Sequence, residues 1–432
     1  MIRTPVPPLH FTEISSSFLF SFECLYAAFA MDPFQRLPAE LVSQVLRNTD
    51  FMGVDGLVSV SLEARAVFQA NSRAIIQDLV SSNPITSHPE IRKLLSNIAL
   101  IHDPSICCTS LDEYMQLTNG EGNENAVEST LCRQNSDLAC RILRIAAQTQ
   151  CLACICLLTL RQGLVTALGT SPNRAQKANE PFSYLEEYHV YWAIWQLECY
   201  SDLRKAVDSR ASSSTNSAEG PSTGQNWIWS RESINKLDAY TTFNEIHDFR
   251  AEQIWAVASV LVELGAPLVS PSTRESLALQ HPSTVAWDFP PNTPIPFFSS
   301  FQLARSVRND HSLLWCPPQT PIEDPVTKAW YLTLPFCHKP SGQTMLFRSL
   351  RHGALRGHCG RRPSAAMEDI SPYRRSGVLL WDSWRMYSIG LMPNSSRKGR
   401  PAPGGGFIEP DCEAVTGEDV MPNWFEIAGV KQ

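Results

Sequence analysis

The residues best suited to chemistry lie late in the chain. Cys337, His338, His352, His358 and Cys359 place two thiols and three imidazoles within a short span, enough in number for four tetrahedral metal ligands. Their spacing matches no zinc module, and adjacent Cys-His pairs cannot both ligate without a sharp local bend. Arg348, Arg351, Arg356, Arg361 and Arg362 crowd the same stretch, and their charge opposes a cation. No metal site is expected there. Cys151 and Cys154 have the two-residue spacing of a zinc knuckle or redox pair. They lack a second matched pair and sit among Leu152, Ile155 and Leu157, so they read as core thiols. Glu186 and Glu187 beside His189 could suggest acid–base work. Neighbours on a helix diverge by about 100°, so the two carboxylates do not converge and read as a solvated face. The sequence has no G-x-S-x-G elbow, P-loop, G-x-G-x-x-G or H-E-x-x-H. The expectation is a protein that is not an enzyme and needs no cofactor.

Composition narrows the class further. The chain has 432 residues, 43% of them hydrophobic and 18% charged, which suits two or three domains with a buried core. The net charge of −7 argues against a general nucleic-acid binder, which needs a basic face to displace counterions. Thirteen cysteines scattered over this length fit buried thiols in a reducing compartment better than a secreted disulfide scaffold. Cytoplasm or nucleus is the expected location. The longest unbroken apolar stretch, Cys151 to Leu158, falls short of the ~20 residues a membrane helix needs. The stretch "FLFSFECLYAAFA" near the start looks a little like a signal peptide, but Glu23 interrupts it and only Arg3 supplies positive charge. Residues 1–30 are expected to be a dispensable extension.

The elements are mostly helical. Three short helices are expected between residues 32 and 80. Leu37, Leu41 and Val45 recur every four residues with Leu46 alongside, and Pro38 stands where a first helical turn tolerates a missing N–H. Gly53 and Gly56 read as flanking a turn. Leu57, Val58 and Val60 open a second apolar patch. Ser87 is expected to cap a helix that starts at Pro89 and Glu90. Long apolar helices are expected over 131–168 and 182–206. In the second, Tyr184, Tyr188, Tyr191, Trp192 and Trp195 share one face and read as core. Another amphipathic helix should end at Gly265. Asp208 to Asn226 is Ser/Thr/Gly-rich and expected to be a mobile loop. Proline becomes frequent after Pro267. Arg374 to Leu391 is expected to be one more ordered piece, and residues 392–432 a disordered tail. The fold class is mostly α: a three-helix unit at 31–80 followed by an irregular helical body at 81–391.

The opening segment resembles an F-box. That family's pattern appears here as Leu37, Pro38 and Glu40, then Leu41, then Val45-Leu46, then Leu57-Val58, then Val60-Ser61. The resemblance covers about residues 34–80. It departs from many F-boxes after the Val-Ser, where Phe68 is the only aromatic in place of a Trp, and in an unusual Phe51-Met52. The wider arrangement is similar to a large group of F-box-like proteins of filamentous fungi, which brings no active site with it. The resemblance implies a three-helix bundle that binds the Skp-type linker of an SCF ubiquitin ligase. Leu37, Pro38, Glu40, Leu41, Val45, Leu46, Leu57 and Val60 would form the contact, and the body would recruit an unknown protein target. No nucleic acid or membrane is expected as partner. The alternative is a cap of helices that completes the chain's own core. Exposed Leu37, Pro38, Leu41, Leu46 and Leu57 would favour a partner; burial against residues 140–265 would favour the cap.

Overall fold

The computed structural model describes residues 32–119, 136–169, 172–208, 227, 229–241, 248–269, 297–303, 371–382, 385, 386, 389 and 391. Eleven α-helices occur among these, with a single two-stranded ribbon, so the fold is mostly α. Residues 1–31, the loop after Asp208, the Cys337–Cys359 set and the tail from 392 lie outside the described residues.

Four connected helical pieces come first among the described residues. A 3-10 turn (Pro33–Arg36) leads into α1 (Ala39–Arg47), α2 (Phe51–Val60) and α3 (Leu62–Ser82). Pro38 is the N-cap of α1, and its carbonyl accepts from the Leu41 and Val42 amides. Pro38 thus ends the extended entry at Leu37, while its own missing N–H falls where a helix makes no use of one. Asp50 caps α2 by accepting from the Gly53 amide at 2.6 Å. Gly53 and Gly56 therefore sit inside α2 rather than flanking a turn. The cap and the apolar face of Phe51, Val54 and Val58 outweigh the glycines' cost of roughly 1 kcal/mol each. Ser61 separates α2 from α3 and caps α3 by accepting from the Ala64 amide. Asp32 reaches across to accept from the Ser61 hydroxyl at 2.6 Å and from the Glu63 amide. Within α3 the backbone leaves helical geometry at Asn71, which marks a kink.

The body is built around one helix. Helix α4 (Pro89–His102) is capped by His88, whose Nδ1 accepts from the Glu90 amide. The expected cap, Ser87, instead turns its hydroxyl back to the Pro84 carbonyl. After α5 (Leu111–Asn119) come α6 (Ser136–Ala167), the short α7 (Pro172–Ala178) and α8 (Tyr184–Asp208). Helices α9 (Arg231–Thr241) and α10 (Asp248–Glu263) follow. The last terminates at Gly265, whose φ of 89° lies in the left-handed region that glycine tolerates. Strands β1 (Leu268–Val269) and β2 (Phe297–Phe298) pair antiparallel, and α11 (Ser371–Arg375) closes the list. Helix α8 is the hub: α4, α6, α10 and β2 all pack on it. Its Tyr188, Tyr191, Trp192 and Trp195 are buried, as their shared face suggests.

The N-terminal helices do not stand apart from this body. Helix α1 lies on α3, while α2 and α3 both pack along α6. Apolar residues from Val42 to Leu391 belong to one continuous core. Helix α6 has 32 residues and is long and apolar enough to cross a membrane by length and composition, yet 67% of its apolar window is buried inside this fold.

Candidate functional site

The family-like positions divide between surface and core. Leu41 and Val45 lie one turn apart on α1, Leu37 precedes them on extended backbone, and Leu37, Leu41 and Val45 are 39%, 46% and 39% exposed. Pro38 and Glu40 are exposed beside them. This gives α1 an outward apolar stripe. Its opposite face, Val42 and Leu46, is fully buried, against α3. Leu46 is thus a core residue, not a contact residue as expected. The reason is angular: Leu46 lies about 100° round the helix from Val45 and one turn after Val42, on the side that faces α3.

Leu57 is half-buried and packs on the core, so it too contributes less to the surface than expected. Val60 and the following Leu62 are 83% and 71% exposed at the corner between α2 and α3. The hydrogen bonds that Asp32 accepts fix that corner, and the one from the Ser61 hydroxyl lowers the Asp32 carboxyl below its usual range. Phe68, in the region where many F-boxes carry a Trp, is fully buried. Phe51 is buried and Met52 packs on the core, so this unusual pair anchors α2 inward.

A second constellation is interior and ionic. Glu186 and Glu187 are buried, so neither forms the solvated face their adjacency suggests. Glu186 receives the Arg385 guanidinium in a fork, Nε to Oε1 at 2.6 Å and Nη2 to Oε2 at 2.8 Å. The same guanidinium donates to the carbonyls of Ala178 at 2.8 Å and Pro181 at 2.8 Å. It therefore also satisfies the C-terminal end of α7, where helix carbonyls lack internal donors. Burial pushes the Glu186 carboxyl upward, and Arg385 pulls against that shift. Nearby, Arg374 forks onto Glu252 at 2.7 and 3.1 Å.

A third cluster ties α4 to α8. His102 Nε2 lies 2.7 Å from Asp202 Oδ2, and Lys205 donates to the other oxygen of Asp202. Glu198 is buried one turn earlier on α8.

Three buried thiols are suited to packing rather than attack. Burial pushes the Cys108 and Cys199 thiols up to about 12, and Cys156 higher still. A thiol so placed stays protonated and is a poor nucleophile or ligand. Among the described residues, no group of three or more His, Cys, Asp or Glu side chains could hold a metal ion.

Sequence reasoning missed Glu186 because its partner is 199 positions away. Arg374 and Arg385 stood within a segment recognised as ordered, but nothing local paired them with an acid.

Comparison of the chain with family models, with curated proteins and with solved structures finds no match in any of the three.

Proposed function

We propose that the chain is a non-enzymatic adaptor of an SCF-type ubiquitin ligase, cytoplasmic or nuclear, which binds a Skp-type linker through its N-terminal helices and recruits a protein target through its body. The observation that carries this reading is the outward stripe of Leu37, Leu41 and Val45, with Pro38 exposed at its head. These are positions of the F-box resemblance, and large apolar side chains left exposed on α1 and on the extended entry to it suit a contact with a partner helix.

A second reading rests on a different observation. Helix α2 packs along α6, and Leu46 is wholly interior. That arrangement favours helices that complete the chain's own core, in a structural or protein-interaction role without a linker.

The two readings separate in one experiment. Wild type and a Leu37→Ala/Pro38→Ala variant are tested for capture of the linker, with a thermal melt of each. The adaptor reading expects the wild type to capture it and the variant to lose at least ~2 kcal/mol of binding, about 30-fold. Its melt should barely move, because both side chains are exposed. Wild type that never captures the linker, together with a destabilised variant, would sink the adaptor reading.

A further inference from the structure

Residues 371–391 are held in an unusual manner for a core element. Residues 376–380, just after α11, form turns, Arg385 and Met386 are helical, and the body grips the described residues through side chains that read their main chain. Gln253 of α10 donates to the Leu379 carbonyl at 2.8 Å. His189 of α8 places Nδ1 3.0 Å from the Leu380 carbonyl, which can only accept. Arg174 of α7 donates to the Ile389 carbonyl at 2.7 Å. The Asp382 amide donates to Glu186.

The charges are read as well. Each of the segment's two buried arginines meets its own buried acid, Arg374 with Glu252 and Arg385 with Glu186. The site for Arg385 is the more complete. One carboxylate and the carbonyls of Ala178, Glu180 and Pro181 surround the fork, so acceptors face it from several sides. Trp381 is fully buried nearby, and the Arg385 guanidinium lies 5.5 Å from its ring.

Main-chain carbonyls taken by side chains, a forked arginine and a buried tryptophan are how a folded domain holds a peptide. We propose that the surface of α6, α7, α8 and α10 beneath this segment is a peptide-recognition site, whose occupant in this chain is its own stretch 371–382 together with Arg385. Its ligand class is a short apolar peptide with a tryptophan followed by an arginine four residues on. This inference does not depend on the adaptor reading.

The test uses the full chain with a specific protease site placed within residues 304–370. After the cut, the C-terminal fragment should co-elute with the body in gel filtration. A labelled synthetic peptide of residues 371–391, added in excess, should replace it. Peptides carrying Arg385→Ala or Arg374→Ala should compete on the order of a hundredfold more weakly, since each leaves a buried acid unpaired. Arg385→Lys should also compete poorly, because an ammonium cannot reproduce the fork. The comparison of variants changes only the peptide, so every variant meets the same cut body. The proposal is overturned if the fragment leaves only when the body unfolds, or if the Arg385→Ala peptide competes as well as the unaltered one.

Discussion

Glu186 and Arg385 form a buried, two-bond ion pair between positions 199 residues apart, and the same arginine closes the end of α7. A charge removed from such a pair leaves its partner desolvated and alone, at a cost of about 3–5 kcal/mol. Glu186→Leu should therefore lower the denaturant midpoint sharply. Adding Arg385→Leu should recover only part of the loss, because the carbonyls of Ala178 and Pro181 then lose their donor. A double-mutant cycle by urea unfolding measures this. Full recovery in the double variant would show that the carbonyl contacts contribute nothing.

Leu41 and Leu46 belong to one nine-residue helix but should behave oppositely. Leu46 is fully buried, so Leu46→Ala should cost about 2–5 kcal/mol in unfolding free energy. Leu41 is nearly half exposed, and Leu41→Ala should fall within about 0.5 kcal/mol of wild type. Loss of linker capture by a Leu46 variant would accordingly report unfolding, not a contact. Equal destabilisation by the two substitutions in thermal melts would contradict the division of faces on α1.

Much of this architecture was legible in the sequence, and the part that was not has a common cause. Helices α6, α8 and α10 were readable because long 3.6-residue periodicity survives without knowledge of neighbours. Gly265 was readable as a stop because its conformational freedom is local. The outward stripe of α1 followed from its spacing, but the split between Val45 and Leu46 needed α3 in place. Glu186 and Glu187 read as solvated because an acid on a helix usually is. What reverses that rule is an arginine far along the chain, which no local pattern reports. Gly53 and Gly56 misled in a smaller way, since the Asp50 cap and the packing of α2 override their preference for turns.

Gly163 on α6 should not tolerate a side chain. A Cβ there would run into the main-chain oxygen of Arg375, where α11 rests against α6. In an exposed helix, Gly→Ala gains roughly 1 kcal/mol. Here Gly163→Ala should destabilise instead, because backbone, not a movable side chain, must give way. Gly377 is constrained twice over: its φ is 63°, and a Cβ would press on Leu160 and Trp381. Gly377→Ala should destabilise too. A raised melting temperature in either variant would mean that Arg375 and Gly377 do not sit this close to α6.

The cluster around Asp202 should make stability fall as the pH rises. Asp202 is held ionised by His102 and Lys205, despite its burial. Glu198 is one turn away on the same helix. Burial pushes its carboxyl from about 4.5 up to about 8, the Asp202 charge pushes the same way, and Lys205 opposes both. The unfolded chain loses that proton near the ordinary value. Between the two values the folded state therefore holds a proton that the unfolded state does not, and ∂ΔG/∂pH for unfolding is negative. The stability linked to Glu198 is fully present below about 4.5 and declines as pH rises to about 8, by at most about 1.4 kcal/mol per unit. Above about 8 both states are ionised and the decline ends. Glu198→Gln cannot ionise and should lack this slope. Urea midpoints taken at intervals across that range should show the variant gaining on wild type as pH rises, with a constant gap beyond it. Curves that run parallel throughout would show that Glu198 is already ionised in the folded protein, which its burial beside Asp202 argues against.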